Sequence, residues 1–256
     1  FVAGGDPAAP GSVDRCDVWV DAFFVRRYPV THGELLVFLN ELVARGDESL
    51  ALRCVPRERP VGGADYGLML YRRNRDGTFA LDGDGPATAW RLDGPAVMID
   101  WNGAVAYARW FADRTGQPWR LPHEYEWEKA ARGVDGRWFP WGDLHDPSRC
   151  HMRDSHTGSP SAAPVDGCPV DTSPYGVRGM AGNVAEWCAN AWSDDGPDLL
   201  DGAVAAPPFD SPEARVGVNR GGGWYDTAEF NRCAARRPLE RSLRRPDVGF
   251  RLVRSA

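Results

Sequence analysis

From Gly133 to the C-terminus the chain has almost no helical or strand periodicity, yet it stays rich in apolar bulk. Stretches such as DGRWFPWGD (135–143) and DTSPYGVRGMAGN (171–183) mix turn residues with aromatics. Glycine reaches backbone conformations closed to other residues and proline fixes φ, so such runs punctuate loops. A segment of this kind is ordered only if large side chains on its loops pack against one another. The means are present: 11 tryptophans and 43% hydrophobic residues in a chain of 256, enough for a real core. The expectation is an α+β fold, compact and loop-rich, with low regular secondary structure. No internal repeat, coiled coil or clean linker is visible, which predicts one domain over 1–256.

The first half is more periodic. Asp17 to Val25, DVWVDAFFV, predicts a strand. Tyr28-Pro29-Val30-Thr31 leads into a helix. Thr31 and Glu34 have capping-box spacing, and Leu35, Phe38, Leu39, Leu42 and Val43 recur on one face before Gly46. Residues 49–94 form a less periodic insert, with a hairpin predicted from 67–72 and 78–81 around Asn74-Arg75-Asp76-Gly77. Asp82-Gly83-Asp84-Gly85 has the composition of a calcium loop but lacks the full ligand ladder, so it reads as a solvated turn. A short strand is expected at 96–100. A helix is expected at 102–115, with Ala104, Val105, Ala108, Phe111 and Ala112 inward and Gly116 as its end. A third follows in HEYEWEKAAR, with Trp127, Ala130 and Ala131 inward and Gly133 behind it.

A net charge of −6 and a pI near 5.4 argue against a basic surface for nucleic acid. No run reaches the roughly 18 apolar residues that a membrane span needs, and no signal peptide is visible. No membrane partner is expected, and composition suggests a cytoplasmic setting. Lys129 is the only lysine, a bias that suggests a GC-rich bacterial genome. The first residue is Phe1, which predicts a domain cut from a longer protein or a processed product. The six cysteines, Cys16, Cys54, Cys150, Cys168, Cys188 and Cys233, form no CxxC pair. They are expected as free, mostly buried thiols.

Five segments in order carry a resemblance. They are Tyr28 to Thr31 (YPVT), Val97 to Trp110 (VMIDWNGAVAYARW), Arg120 to Gly142 (RLPHEYEWEKAARG…FPWG), Tyr175 to Trp187 (YGVRGMAGNVAEW), and the tail from Arg215 to Arg254. In the tail the landmarks are Arg220-Gly221-Gly222, Cys233-Ala234-Ala235-Arg236 and Gly249-Phe250-Arg251. Together they resemble the formylglycine-generating enzyme, or sulfatase-modifying factor, family across nearly the whole chain outside 49–94. The resemblance implies that family's C-type-lectin-like fold. The wider superfamily holds copper oxidases, iron sulfoxide synthases, kinase-appended domains and variable proteins of diversity-generating retroelements, so fold leaves function open.

The departures narrow the choice. The resemblance implies a pair of thiolates for copper(I) soon after a Gly-Gly-Ser. Here Gly223 stands at the serine, Asp226 near the first cysteine, and Phe230 or Asn231 nearest the second, so no copper is expected. Cys233 resembles a framework disulfide cysteine whose partner position holds Ala131, which implies a free thiol. The resemblance also implies a structural calcium ion on the carbonyls of Gly182 and Val184 and the carboxylate of Glu186. One upstream ligand of that site is Gly179 here. His123 stands where the family has a capping threonine, a poorer cap costing about 1 kcal/mol.

Two functions follow. In the first, the domain is non-catalytic and binds a protein or small-molecule ligand through the tail. Trp224, Tyr225, Asp226, Thr227, Glu229, Phe230 and Asn231 have the adaptable chemistry of a binding surface. Arg237, Arg241, Arg244 and Arg245 favour an acidic partner. A sensor module fused to a signalling domain such as a Ser/Thr kinase, or a retroelement variable protein, would fit. A double alanine change at Tyr225 and Asp226 is then expected to abolish ligand affinity without lowering the melting temperature. The bland alternative is that this stretch packs and the arginines are solvated. In the second, a mononuclear metal, iron among the choices, sits on Asp226, His151, His156 or Cys188 and serves an oxidoreductase.

Overall fold

The computed structural model describes residues 1–58, 67–81, 90–156, 161–204 and 214–256. Helix α1 (His32–Ala44) begins where its capping chemistry predicts. Thr31 Oγ1 accepts from the Glu34 amide, and the Glu34 carboxylate accepts from the Thr31 amide at 2.9 Å. Leu35, Phe38, Leu39 and Leu42 face the core. A further helix, α2 (Glu48–Cys54), was not expected inside the insert. Its start is local chemistry again, since Asp47 accepts from the Leu50 amide. The predicted hairpin is present as β4 (Arg72–Arg73) and β5 (Phe79–Ala80), antiparallel, and Asn40 of α1 pins Phe79 through its amide and carbonyl. Asp82 to Gly85 lie outside the described residues.

Helix α3 (Trp101–Thr115) starts one residue early because Asp100 caps the Gly103 amide at 2.8 Å. Its end at Gly116, with φ of +64°, is as expected. Its inward face is Trp101, Ala104, Tyr107, Ala108 and Trp110, whereas Val105, Phe111 and Ala112 are half-buried. Helix α4 (Glu124–Arg132) is capped by the residue thought poor for the purpose. His123 Nδ1 accepts from the Tyr125 amide at 3.1 Å, and burial lowers its pKa to about 4, so the ring is neutral and able to accept.

Two strand expectations are corrected. Residues 17–25 are not one strand. Strand β1 (Val2–Ala3) pairs with β2 (Cys16–Asp17), Trp19 bridges to Ala203, and β3 (Phe23–Val25) pairs with the C-terminal strand. The segment breaks because its parts serve different partners. Residues 96–100 form a buried connector: Met98 has φ of +57°, which ends any ladder, and its amide donates to Arg245 O while that of Ala96 donates to Val30 O.

The central sheet has β6 (Ala185–Ala191) at its heart. It pairs antiparallel with β7 (Val216–Arg220), which pairs antiparallel with β8 (Arg236–Glu240), while β9 (Val248–Gly249) lies parallel on its other edge. Strand β10 (Val253–Ser255) is the partner of β3. The main core lies between this sheet and α1 and α3, where Phe38, Tyr107, Trp110, Trp187 and Phe250 meet. Phe38–Tyr107 and Tyr107–Phe250 are edge contacts at 5.5 and 5.3 Å, a geometry aromatic rings favour.

Buried charge ties the irregular half to α4. Glu124 and Glu128 sit one turn apart. Glu124 takes Arg236 and Asn190; Glu128 takes Arg132 at 2.7 Å, the Gly4 amide at 2.9 Å, and Arg220. Arg220 then donates to the carbonyls of Ala234 and Ala235. Burial pushes the Glu124 carboxyl up, but the Arg236 hydrogen bond and the Arg236 and Arg220 charges hold it below its usual value. Removing one partner of such a network costs about 3–5 kcal/mol, because the other charge is left buried. The framework motifs of the tail and of RLPHEYEWEKAAR are thus one ionic lattice.

Candidate functional site

After β7 the chain turns through Gly221 and Gly222, with φ of +94° and +65°. A Cβ on Gly221 would meet the Trp127 ring at 2.8 Å, and one on Gly222 would meet Asn231 Oδ1 at 2.3 Å. Only glycine allows this entry into the 224–231 loop. The loop is locked from inside by two residues. Asp226, 5% exposed, accepts from the Gly223 amide at 2.8 Å and from Arg237 at 2.9 Å. Asn231 is fully buried and donates to Thr227 O. Gly223, at the serine position of the resemblance, has no room for a side chain, because a Cβ would meet Asp247 Cβ at 2.8 Å.

The other expected contact residues form the outer surface of this loop. Trp224, Tyr225, Thr227 and Phe230 are half-buried and Glu229 is exposed. Trp224 is held through its amide to Asn183 O and its indole to Pro246 O, and Tyr225 by the Arg245 guanidinium and by Arg153 to its carbonyl. Arg153, Asn183 and Asp247 carry no sequence pattern that marks them for this surface.

The arginines do not gather into one acidic-ligand pocket. Arg237 is paired with Asp226 and lies over Phe230 at 5.0 Å. Arg244 donates to the carbonyls of Val55 and Arg53 and to Asp100. Arg245 is paired with Asp247. Arg241 lies four residues beyond Arg237, roughly 13 Å along the strand direction, and stacks on Trp101 at 3.9 Å. The donors expected to meet a ligand are thus largely engaged within the fold.

The expected metal ligands are similarly placed. Glu186, fully buried, is gripped by Arg251 through both carboxylate oxygens, each at 2.6 Å, and accepts from the Trp127 indole at 2.7 Å. The same guanidinium reaches the carbonyls of Arg178 and Gly179. Gly182, with φ of +97°, donates to Gly221 O, and Val184 is buried. The carboxylate that a calcium ion would need already carries a cation. The rings of His151 and His156 lie 4.9 Å apart, but His151 is bonded to Ser161 O and His156 to Trp224 O. Cys188 is buried in β6, and burial pushes its thiol well above the usual value. Among the described residues, no three His, Cys, Asp or Glu side chains come together as a metal site. Cys233 is a buried free thiol in the same cluster as Ala131.

One buried acid was not foreseen. Asp171 accepts from the Ala181 amide, its Oδ1 has no hydrogen-bond partner, and burial raises its pKa to about 7.

The sequence profile of the sulfatase-modifying factor enzyme 1-like domain matches residues 1–256. A formylglycine-generating enzyme of Thermomonospora curvata is 33% identical over 192 residues, covering 67% of this chain and 59% of the relative. The inactive C-alpha-formylglycine-generating enzyme 2 of Mus musculus is 31% identical over 188 residues, 68% and 53% of the two chains. The serine/threonine-protein kinase Pkn1 of Chlamydia trachomatis is 34% identical over 268 residues, which is 99% of this chain and 38% of the kinase. The chain therefore spans little more than half the length of the first two. Among solved structures, PvdO from Pseudomonas aeruginosa superposes with a TM-score of 0.73 at 24% identity, covering 100% of this chain and 91% of PvdO. Treponema denticola variable protein 1 does so at 0.67 and 17%, covering 100% and 91%. These likenesses bear out the expected C-type-lectin-like fold, and the chain belongs to the sulfatase-modifying factor enzyme 1-like, or formylglycine-generating enzyme, family.

Proposed function

We propose that this domain is a non-catalytic ligand- or protein-binding member of its family, working through the outer face of the 224–231 loop. The observation that carries the reading is the state of the two positions nearest the implied copper cysteines. Asp226 is buried and its carboxylate is taken by the Gly223 amide and by Arg237 of β8, and of the two candidates for the second position Asn231 is buried with its amide group on Thr227 O while Phe230 carries no metal-binding atom. Trp224, Tyr225, Thr227, Glu229 and Phe230 remain at the surface with aromatic and small polar character suited to recognition. A relative named as inactive and another named as a kinase support a binding role beside a signalling domain. A diversified variable protein is the finer form of the same proposal.

The test has two arms. The folded chain is loaded anaerobically with copper(I) or iron(II), desalted and assayed for metal, then incubated with a cysteine peptide and dioxygen. No stoichiometric metal and no aldehyde are expected; the finding of stoichiometric metal or of an aldehyde would return the chain to the oxidoreductase reading. Peptides are then selected by display against the folded chain. Tyr225→Ala and Glu229→Arg are expected to abolish their binding with the fold retained, the melting temperature falling by no more than about 4 °C. Equal binding to both variants would remove the loop as the binding face.

A further inference from the structure

A second cavity, away from the 224–231 loop, has the chemistry that the tail arginines lack. It is a groove of about 570 Å³ between α3 and the far end of the β7–β8 pair. Its size falls within the roughly 300–1,000 Å³ of small-molecule sites. Trp101, Val105 and Arg109, spaced four residues apart, form one stripe of α3. Leu50 of α2 and Ala106 add apolar wall. Opposite them the Arg241 amide donates to Arg215 O at 2.8 Å, which holds the two strand ends together.

The floor is rigid. Arg241 is 5% exposed, stacks on the Trp101 ring at 3.9 Å and donates to Ala189 O. The Trp101 indole is itself fixed to Cys188 O at 2.8 Å. Arg109 and Arg215 stand exposed on the rim, and neither pairs with a carboxylate among the described residues. Among the described residues Glu240 is the single carboxylate lining the groove against three arginines, in a chain whose net charge is −6. A local field opposed to that of the whole molecule draws anions to this place. The lining is mixed: Leu50, Trp101, Val105 and Ala106 make an apolar stretch beside the arginines, so the complementary ligand has two parts.

We propose that this groove binds a small amphiphilic anion, an apolar body on Trp101, Leu50 and Val105 with a carboxylate or phosphate held by Arg109 and Arg215. This site is separate from the proposed loop surface and stands or falls without it.

Fluorine NMR on the full chain tests it with 4-fluorophenylacetate, 4-fluorophenyl phosphate and the neutral 4-fluorobenzyl alcohol. At least one anion is expected to bind with the alcohol about tenfold weaker, since charge-assisted hydrogen bonds to guanidinium are the strong ones. The two anions tell carboxylate from phosphate preference. The exposed double change Arg109→Gln, Arg215→Gln is expected to reduce the anion to the level of the alcohol at unchanged melting temperature. Tyr225→Ala is expected to leave binding intact. Absence of anion binding, equal binding of the alcohol, or full affinity in the double variant would overturn the site. Loss in Tyr225→Ala alone would move the anion to the 224–231 loop, ending this inference and leaving the loop reading standing.

Discussion

Arg251 and Glu186 form a closed pair in the interior, with guanidinium and carboxylate joined by two hydrogen bonds of 2.6 Å and both residues about 1% exposed or less. The carbonyls of Arg26, Arg27, Arg178 and Gly179 complete the shell around the guanidinium. Glu186→Gln leaves the Arg251 charge buried without its counter-ion and is predicted to cost about 3–5 kcal/mol. At roughly 2–4 °C per kcal/mol for a chain of this size, the melting temperature falls by about 10 °C. Chelator or millimolar calcium is predicted to leave the wild-type melting temperature unchanged. A rise of several degrees with calcium would show that the ion displaces Arg251.

The expectation that Tyr225 and Asp226 can both be cut to alanine at no cost in stability is revised by the burial of Asp226. Its carboxylate satisfies the Gly223 amide and Arg237. Asp226→Ala orphans a buried donor and unpairs a cation, for a predicted loss of about 2–4 kcal/mol. Tyr225→Ala touches a half-buried ring and is predicted to cost about 1 kcal/mol. Urea unfolding of the two single variants separates them, and equal midpoints would mean that the loop is not held by Asp226.

Three buried groups set a pH dependence whose sign can be worked out. Burial lowers His32 and His123 from 6.5 to about 4, so between those values the unfolded chain binds two more protons and stability rises with pH. Burial raises Asp171 from 3.8 to about 7, so over the same range the folded chain binds one more proton and stability falls with pH. The net is one proton, a gain of about 1.4 kcal/mol per pH unit from these groups between about pH 4 and 6.5. Asp171→Asn removes the opposing contribution and is predicted to steepen the rise by about 1.4 kcal/mol per pH unit over that range. It also stabilises the fold above pH 7, where the wild type holds a buried carboxylate, and the gain fades toward pH 4. Urea midpoints of wild type and variant at pH 5 and pH 8 check this; parallel profiles would mean that Asp171 titrates normally.

What the sequence showed and what it hid divide along a physical line. Local chemistry was legible: the Thr31–Glu34 box, the Asn74–Gly77 turn and the Gly116 stop depend on residues within a turn of each other. The five framework motifs were legible as a family pattern, but their meaning was not. Glu124 and Arg236 are 112 positions apart and Glu186 and Arg251 are 65 apart, and only folding shows that these charges are spent on each other. The same holds at the tail. Four arginines in 237–245 look like one basic patch in a string. A strand rise of about 3.3 Å per residue and carbonyl partners as distant as Val55 disperse them. The rim pair Arg109 and Arg215 lies 106 positions apart by subtraction, on elements with no common pattern.

The cysteines offer a last test because burial and thiol chemistry point the same way. Cys54, Cys150, Cys188 and Cys233 are buried, while Cys16 and Cys168 are partly exposed. Burial pushes Cys54 up to about 12 and Cys168 up to about 11. Since the thiolate is the nucleophile, even the accessible thiols react slowly near neutrality. Native protein at pH 8 is predicted to give two reacting thiols of the six with an aromatic disulfide reagent, at Cys16 and Cys168, more slowly than a free cysteine. All six are predicted to react at once in denaturant. Mass spectrometry of the labelled peptides identifies the sites. Rapid native labelling at Cys188 would mean that β6 opens, and with it the sheet that carries the tail.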